Sequence, residues 1–214
     1  SPKEKPQQGT HESLFCARPG LDVWKASAWA ESKDYYNPKE VMEAARLMLS
    51  VADKYKGNNN FEYDLVDVLR QAIAEKGRLT LKMVSSAFKA EDKDIFEQAS
   101  KRFLNLILLQ DELLGTRKEF RVGNWTNMAR NIGNTLEEKN LYEWNARVQI
   151  TTWGNYSASE RGNLHDYAHK EWNGILKDFY YMRWKTYFDA LMCTLDGRMT
   201  PILDWYAIEE PWTK

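Results

Sequence analysis

The sequence predicts an all-α fold, an irregular bundle or array of about six to eight helices. Three observations carry that prediction. Apolar residues recur at helical spacing over several long segments, capping residues stand where those segments begin, and neither an alternating apolar-polar run of useful length nor a fixed-period repeat occurs. At Asn37-Pro38-Lys39-Glu40 a cap residue, a proline at the first helical position and a glutamate at the third favour a helix start, and the pattern runs to about Tyr55, before Gly57. A second helix begins at Phe61 and places Leu65, Val68, Leu69, Ala72 and Ile73 on one face. Its continuation through Leu81, Val84 and Phe88 is expected to be interrupted at Gly77. A third spans about Asp92 to Leu114, with Phe96, Ala99, Phe103, Leu106, Ile107 and Leu114 on its buried side. Thr135-Leu136-Glu137-Glu138 is a capping box that opens a helix carrying Leu141, Tyr142, Trp144, Ala146 and Val148. The last long helix is expected from near Asn163 to about Leu195, because Leu164, Ala168, Trp172, Ile175, Phe179 and Met182 fall in one sector about 80° wide.

Residues 1–30 differ in kind. They begin polar and proline-rich in SPKEKPQQGT and show no sustained period, which reads as a linker followed by irregular packed structure; residues 31–214 form the helical domain. Composition narrows the function classes. With 43% hydrophobic and 29% charged residues the chain is an ordinary globular one, neither collagenous nor disordered. Thirty Lys plus Arg against 31 Asp plus Glu leave a net charge of −1 with the signs interspersed, so nucleic acid and anionic membrane are not expected partners. No apolar run approaches the roughly 20 residues that span a bilayer. Nine Trp and eleven Tyr are a large aromatic supply, to be used in the core, at an interface or on a sugar. Cys16 and Cys193, far apart, do not define a disulfide framework.

Several constellations could carry chemistry. His165-Asp166-Tyr167-Ala168-His169 imitates the H-E-x-x-H helix of zinc proteases, since two imidazoles at i and i+4 share a helix face; a third ligand would have to come from Asp189, Asp196 or Glu209. The competing reading is a solvated face that carries two histidines. Asp64 and Asp67 share a helix face as paired carboxylates do in glycoside hydrolysis, but Arg70 and Arg46 nearby favour structural ion pairs over acid-base work. Trp153-Gly154 ends a helix and Tyr167 follows a polar loop, an arrangement that would offer aromatic faces to a pyranose; packing in the core is the alternative. No phosphate loop, CxxC or G-x-S-x-G motif is present.

The order of Phe61-Glu62-Tyr63-Asp64-Leu65-Val66-Asp67-Val68-Leu69-Arg70-Gln71, Trp153-Gly154, Asp166-Tyr167-Ala168-His169-Lys170-Glu171-Trp172-Asn173-Gly174 and Arg183-Trp184-Lys185-Thr186-Tyr187-Phe188 resembles the C-terminal helical domain of family 89 glycoside hydrolases, the α-N-acetylglucosaminidases. The resemblance runs from about Glu12 to the end of the chain. It implies a larger retaining exo-glycosidase whose two catalytic carboxylates lie on a preceding (β/α)-barrel, with this domain inactive by itself and residues 1–30 coming from the barrel side. It implies as partners that barrel and a glycan ending in α-linked N-acetylglucosamine, and an exported parent: periplasmic, secreted or lysosomal. The implied pocket residues are Trp153, Leu164 and Tyr167, with Asn163 and Asp166 as neighbours. No catalytic residue, metal or cofactor is implied within this chain, and Asp64, Asp67 and Arg70 become a helix-fixing polar network. The loop before the Asp-Tyr-Ala motif is longer than in some relatives. An independent helical module that binds protein or carbohydrate is the alternative.

Overall fold

The computed structural model describes residues 14–23, 36–168 and 170–214. Among them are seven α-helices and no strand: α1 (Pro38–Ser50), α2 (Asn59–Lys89), α3 (Lys93–Gly115), α4 (Val122–Arg130), α5 (Leu136–Gln149), α6 (Tyr181–Leu195) and α7 (Trp205–Thr213). The all-α prediction holds. Capping residues start the helices as the sequence indicates. Asn37 Oδ1 accepts the Lys39 amide at 3.0 Å, Asp92 Oδ1 accepts that of Ile95 at 3.0 Å, and Thr135 exchanges bonds with Glu138 in a reciprocal box. Helix α1 stops at Ser50, and a 3₁₀ turn over Ala52–Tyr55 completes the expected stretch.

Helices α2 and α3 form the long hairpin on which the rest is built, with α1 against α2, α6 against α3, and a second hairpin of α4 and α5 closed by α7. The expected break at Gly77 is absent, and α2 runs unbroken for 31 residues. Gly77 serves packing instead. A Cβ there would lie 2.5 Å from Cε1 of Phe15, so the missing side chain makes room for that ring. Leu14, Phe15 and Cys16, a 3₁₀ turn, are fully buried between α2 and the start of α6. Phe15 meets Phe103 edge-on at 5.2 Å, Phe103 lies 4.6 Å from Trp184, and the Trp184 indole donates to the Phe15 carbonyl at 3.0 Å. Much of the aromatic supply is therefore core. Neither Cys16 nor Cys193 is in a disulfide.

The long final helix is corrected. The described residues of the stretch 163–174 are not helical; a π-helical turn over Leu176–Tyr180 leads into α6, so the helical run opens only at Ile175. Asn163, Asp166 and Gly174 take positive φ of 51°, 60° and 95°, which no right-handed helix accommodates. Tertiary bonds hold the segment open. Asn173 exchanges backbone bonds with Phe120 and Val122 at 2.7 and 3.1 Å, and Gln110 donates to Glu171 at 2.6 Å. Asp111 on α3 accepts the amides of Gly174 and Lys177 at 2.7 and 3.1 Å and the Asn173 amide group at 2.8 Å. It caps the helix from outside the helix's own chain segment, which fixes the start twelve residues later than periodicity indicates.

Candidate functional site

The segment after α5 is a loop closed by its own backbone. Trp153 adopts a left-handed φ of 62°, the conformation that often ends a helix on glycine, and donates its amide to Val148 at 2.8 Å. Asn155 caps the turn that follows, accepting the Ala158 amide at 3.1 Å, and Ser157–Arg161 form a π-helical turn. The chain then returns. Leu164 donates to Ala158, Asp166 to Thr151 and Tyr167 to Leu164, at 3.2, 3.1 and 3.2 Å. Three of the four non-glycine residues with positive φ among the described residues, Trp153, Asn163 and Asp166, lie in this loop. Such conformations persist only where the surroundings over-determine them, and they gather at ligand-binding places.

Closure brings Trp153 and Tyr167 together across 14 positions of chain, with ring centroids 4.8 Å apart and planes at 48°. Tyr167 is 52% exposed and Trp153 half-buried, so the pair presents aromatic surface to solvent. In the same loop Asn163 is exposed and Leu164 half-buried. Asp166 faces the other way. Only 5% exposed, it pairs with Arg183 of α6 at 2.9 Å.

Arg183 belongs to a series of charges, buried at Asp166, Arg183 and Glu209 and partly exposed at Arg18 and Glu160, that the sequence reading did not single out. Its Nε lies 2.8 Å from Glu209 of α7, its Nη1 donates to the Cys16 carbonyl at 3.1 Å, and its guanidinium sits 4.4 Å over the Phe179 ring. Glu209 accepts two bonds from Arg18, at 3.0 and 2.9 Å, and Arg18 makes two more to Glu160, at 2.8 and 2.7 Å. Burial opposes the Arg183 charge, but the Asp166 and Glu209 carboxylates outweigh it and raise its pKa above the ordinary value. Burial pushes the Asp166 carboxyl up while Arg183 pulls it down, leaving it raised. Hydrogen bonds from Arg18 hold the Glu160 carboxyl below its usual range. The readable signal was an arginine one turn beyond Phe179, within an apolar stripe, because an unpaired buried guanidinium is prohibitively costly.

The other candidates are placed away from this loop or turned to structure. Residues 165–168 form a turn, so the helical register that would align His165 with His169 is lost, and His169 lies outside the described residues. The His165 Nδ1 sits 2.9 Å from the Ser159 carbonyl, and Glu209 is committed to two arginines. Asp67 pairs with Arg70 at 2.5 Å, Arg70 reaches towards Glu171 at 3.9 Å, Arg46 pairs with Glu43, and Asp64 is exposed.

A family model described as the α-N-acetylglucosaminidase (NAGLU) C-terminal domain matches residues 1–214, the whole chain. The chain belongs to this family. It is 31% identical over 186 residues to human α-N-acetylglucosaminidase, a match that takes in 86% of this chain and 23% of the human protein. A Clostridium perfringens family 89 glycoside hydrolase in complex with PUGNAc superposes with a TM-score of 0.93 at 35% identity, covering 98% of this chain and 24% of that one. A variant of the same bacterium's enzyme, in complex with its substrate GlcNAc-α-1,4-galactose, gives 0.92 at 35% identity, with 97% and 24% covered. The chain therefore spans about a quarter of the length of these α-N-acetylglucosaminidase relatives. Among its described residues no helix is long and apolar enough to cross a membrane.

Proposed function

We propose that this α-N-acetylglucosaminidase C-terminal domain forms one wall of a sugar pocket in a larger, exported, retaining exo-glycosidase. The nucleophile and the acid/base are carboxylates of a (β/α)-barrel elsewhere in the parent polypeptide, about 5–5.5 Å apart as retention requires, and the isolated chain does not hydrolyse glycosides. The Trp153–Tyr167 pair carries this reading, because two aromatic rings held at a solvent boundary by a strained, self-closed loop fit the apolar face of a terminal N-acetylglucosamine. Leu164 flanks the rings and Asn163 offers an exposed amide to a sugar hydroxyl. Asp166, turned inward, shapes the pocket by holding the loop. Support for docking on other parts of the parent comes from Met128, Ile132 and Leu136, which are 68%, 72% and 68% exposed around the α4–α5 turn.

The test is kinetic. In the full-length enzyme, Trp153→Ala lowers kcat/KM for an aryl α-N-acetylglucosaminide about tenfold, the loss expected for one aromatic contact. Tyr167→Phe keeps the ring but removes the hydroxyl that the proposal sets on a sugar hydroxyl, and lowers it about threefold to tenfold. Wild-type kinetics in both variants would remove the pocket assignment.

A further inference from the structure

We infer that the series Asp166–Arg183–Glu209–Arg18–Glu160 is a positioning device that sets the Trp153–Tyr167 pair. Its topology is the argument. The two terminal carboxylates, Asp166 and Glu160, both belong to the loop that bears the rings, while the interior members come from α6, from α7 and from the segment after the Leu14–Cys16 turn. Each link is short, between 2.7 and 2.9 Å, and the signs alternate without a gap. The loop is thus clamped at both ends of one ionic chain whose middle is anchored in three other parts of the fold.

Two details connect the clamp to the rings. Asp166 immediately precedes Tyr167, and its amide donates to Thr151, two residues before Trp153, so a shift of Asp166 moves both ring-bearing backbones. At the other end Glu160 accepts from the Ser159 hydroxyl at 2.7 Å, and the Ser159 carbonyl contacts the His165 ring at 2.9 Å. Arg18 contributes directionality. Arg18 grips both carboxylates with a two-pronged fork, and a lysine in its place keeps the charge but loses the planar geometry. The buried pairs that Arg183 makes with Asp166 and Glu209 add little net stability compared with apolar packing, whereas they fix one arrangement over its alternatives.

The inference rests on the proposed pocket for its purpose but not for its geometry, and two readouts in the full-length enzyme separate them. With 3-fluorotyrosine incorporated, the ¹⁹F line that disappears in Tyr167→Phe belongs to Tyr167. That line moves or splits in Glu209→Gln and, less, in Arg18→Lys, which retains the charge and serves should Glu209→Gln not fold. A Tyr167 line unchanged in the folded variants overturns the inference, whatever the kinetics. Glu209→Gln also lowers kcat/KM about tenfold in the wild-type background and less than about twofold when Trp153 and Tyr167 are both alanine, because residues acting through a shared unit are not additive. Equal losses in the two backgrounds would mean general structural damage and overturn it too. A moved line together with wild-type activity in the alanine pair would remove the sugar pocket and leave the clamp standing.

Discussion

Arg183 shows how a residue reads differently in sequence and in three dimensions. By periodicity it is a polar interruption of a buried face; in the fold it is fully buried, stacked on Phe179 and paired with carboxylates from two separate elements. Glu160, at the accessible end of the same series, gives a pH test. Its folded carboxyl titrates below the ordinary glutamate range because Arg18 hydrogen-bonds to the charged form. A depressed folded pKa contributes stability that is present above the unfolded value and is lost as pH falls through the folded one. The stability gap between wild type and Glu160→Gln in urea melts is therefore largest near neutrality and shrinks between about pH 5 and about pH 3. A gap that stays constant over that interval would show that Glu160 is not held ionised by Arg18.

The elements whose boundaries were readable are those whose stop and start signals are local. Asn37 and Thr135 each cap the helix that follows immediately and are read as caps from the sequence alone, and Asp92 caps α3 where its helical pattern begins. Two of the misread stretches have distant causes. Gly77 appears as a breaker until Phe15, 62 positions earlier, is seen to occupy the space of its side chain. The stretch 163–174 keeps a helical apolar pattern, yet its backbone is claimed by Thr151, Phe120, Val122 and the capping Asp111, none of which is a neighbour in sequence. Trp153 and Tyr167 were legible as a pair through the motifs around them, while the charges behind them were not, since Arg18, Glu160, Arg183 and Glu209 share no spacing. If Asp111 does set the start of the last helical run, Asp111→Ala leaves the Gly174 and Lys177 amides without their acceptor and destabilises the domain by about 2 kcal/mol in denaturant melts. A change below about 0.5 kcal/mol would mean that the helix defines its own start.

Considered as a molecule, the chain is a helical frame that carries one over-determined loop. The α2–α3 hairpin and the buried Leu14–Cys16 turn supply a rigid base, α6 and α7 supply the buried charges, and the loop between α5 and α6 presents two rings outward. Because the chain spans about a quarter of its relatives, the account assigns it the work of shaping and leaves bond cleavage to the remainder. The proposed division fits the described residues, whose buried carboxylates are committed to arginines and amides. The most direct measurement is a crystal structure of the full-length parent protein with PUGNAc, the compound held in complex by the Clostridium perfringens relative. The proposed pocket places ring atoms of both Trp153 and Tyr167 within about 4.5 Å of the bound molecule. A sugar enclosed wholly by other parts of the polypeptide, with both rings beyond contact, would contradict it.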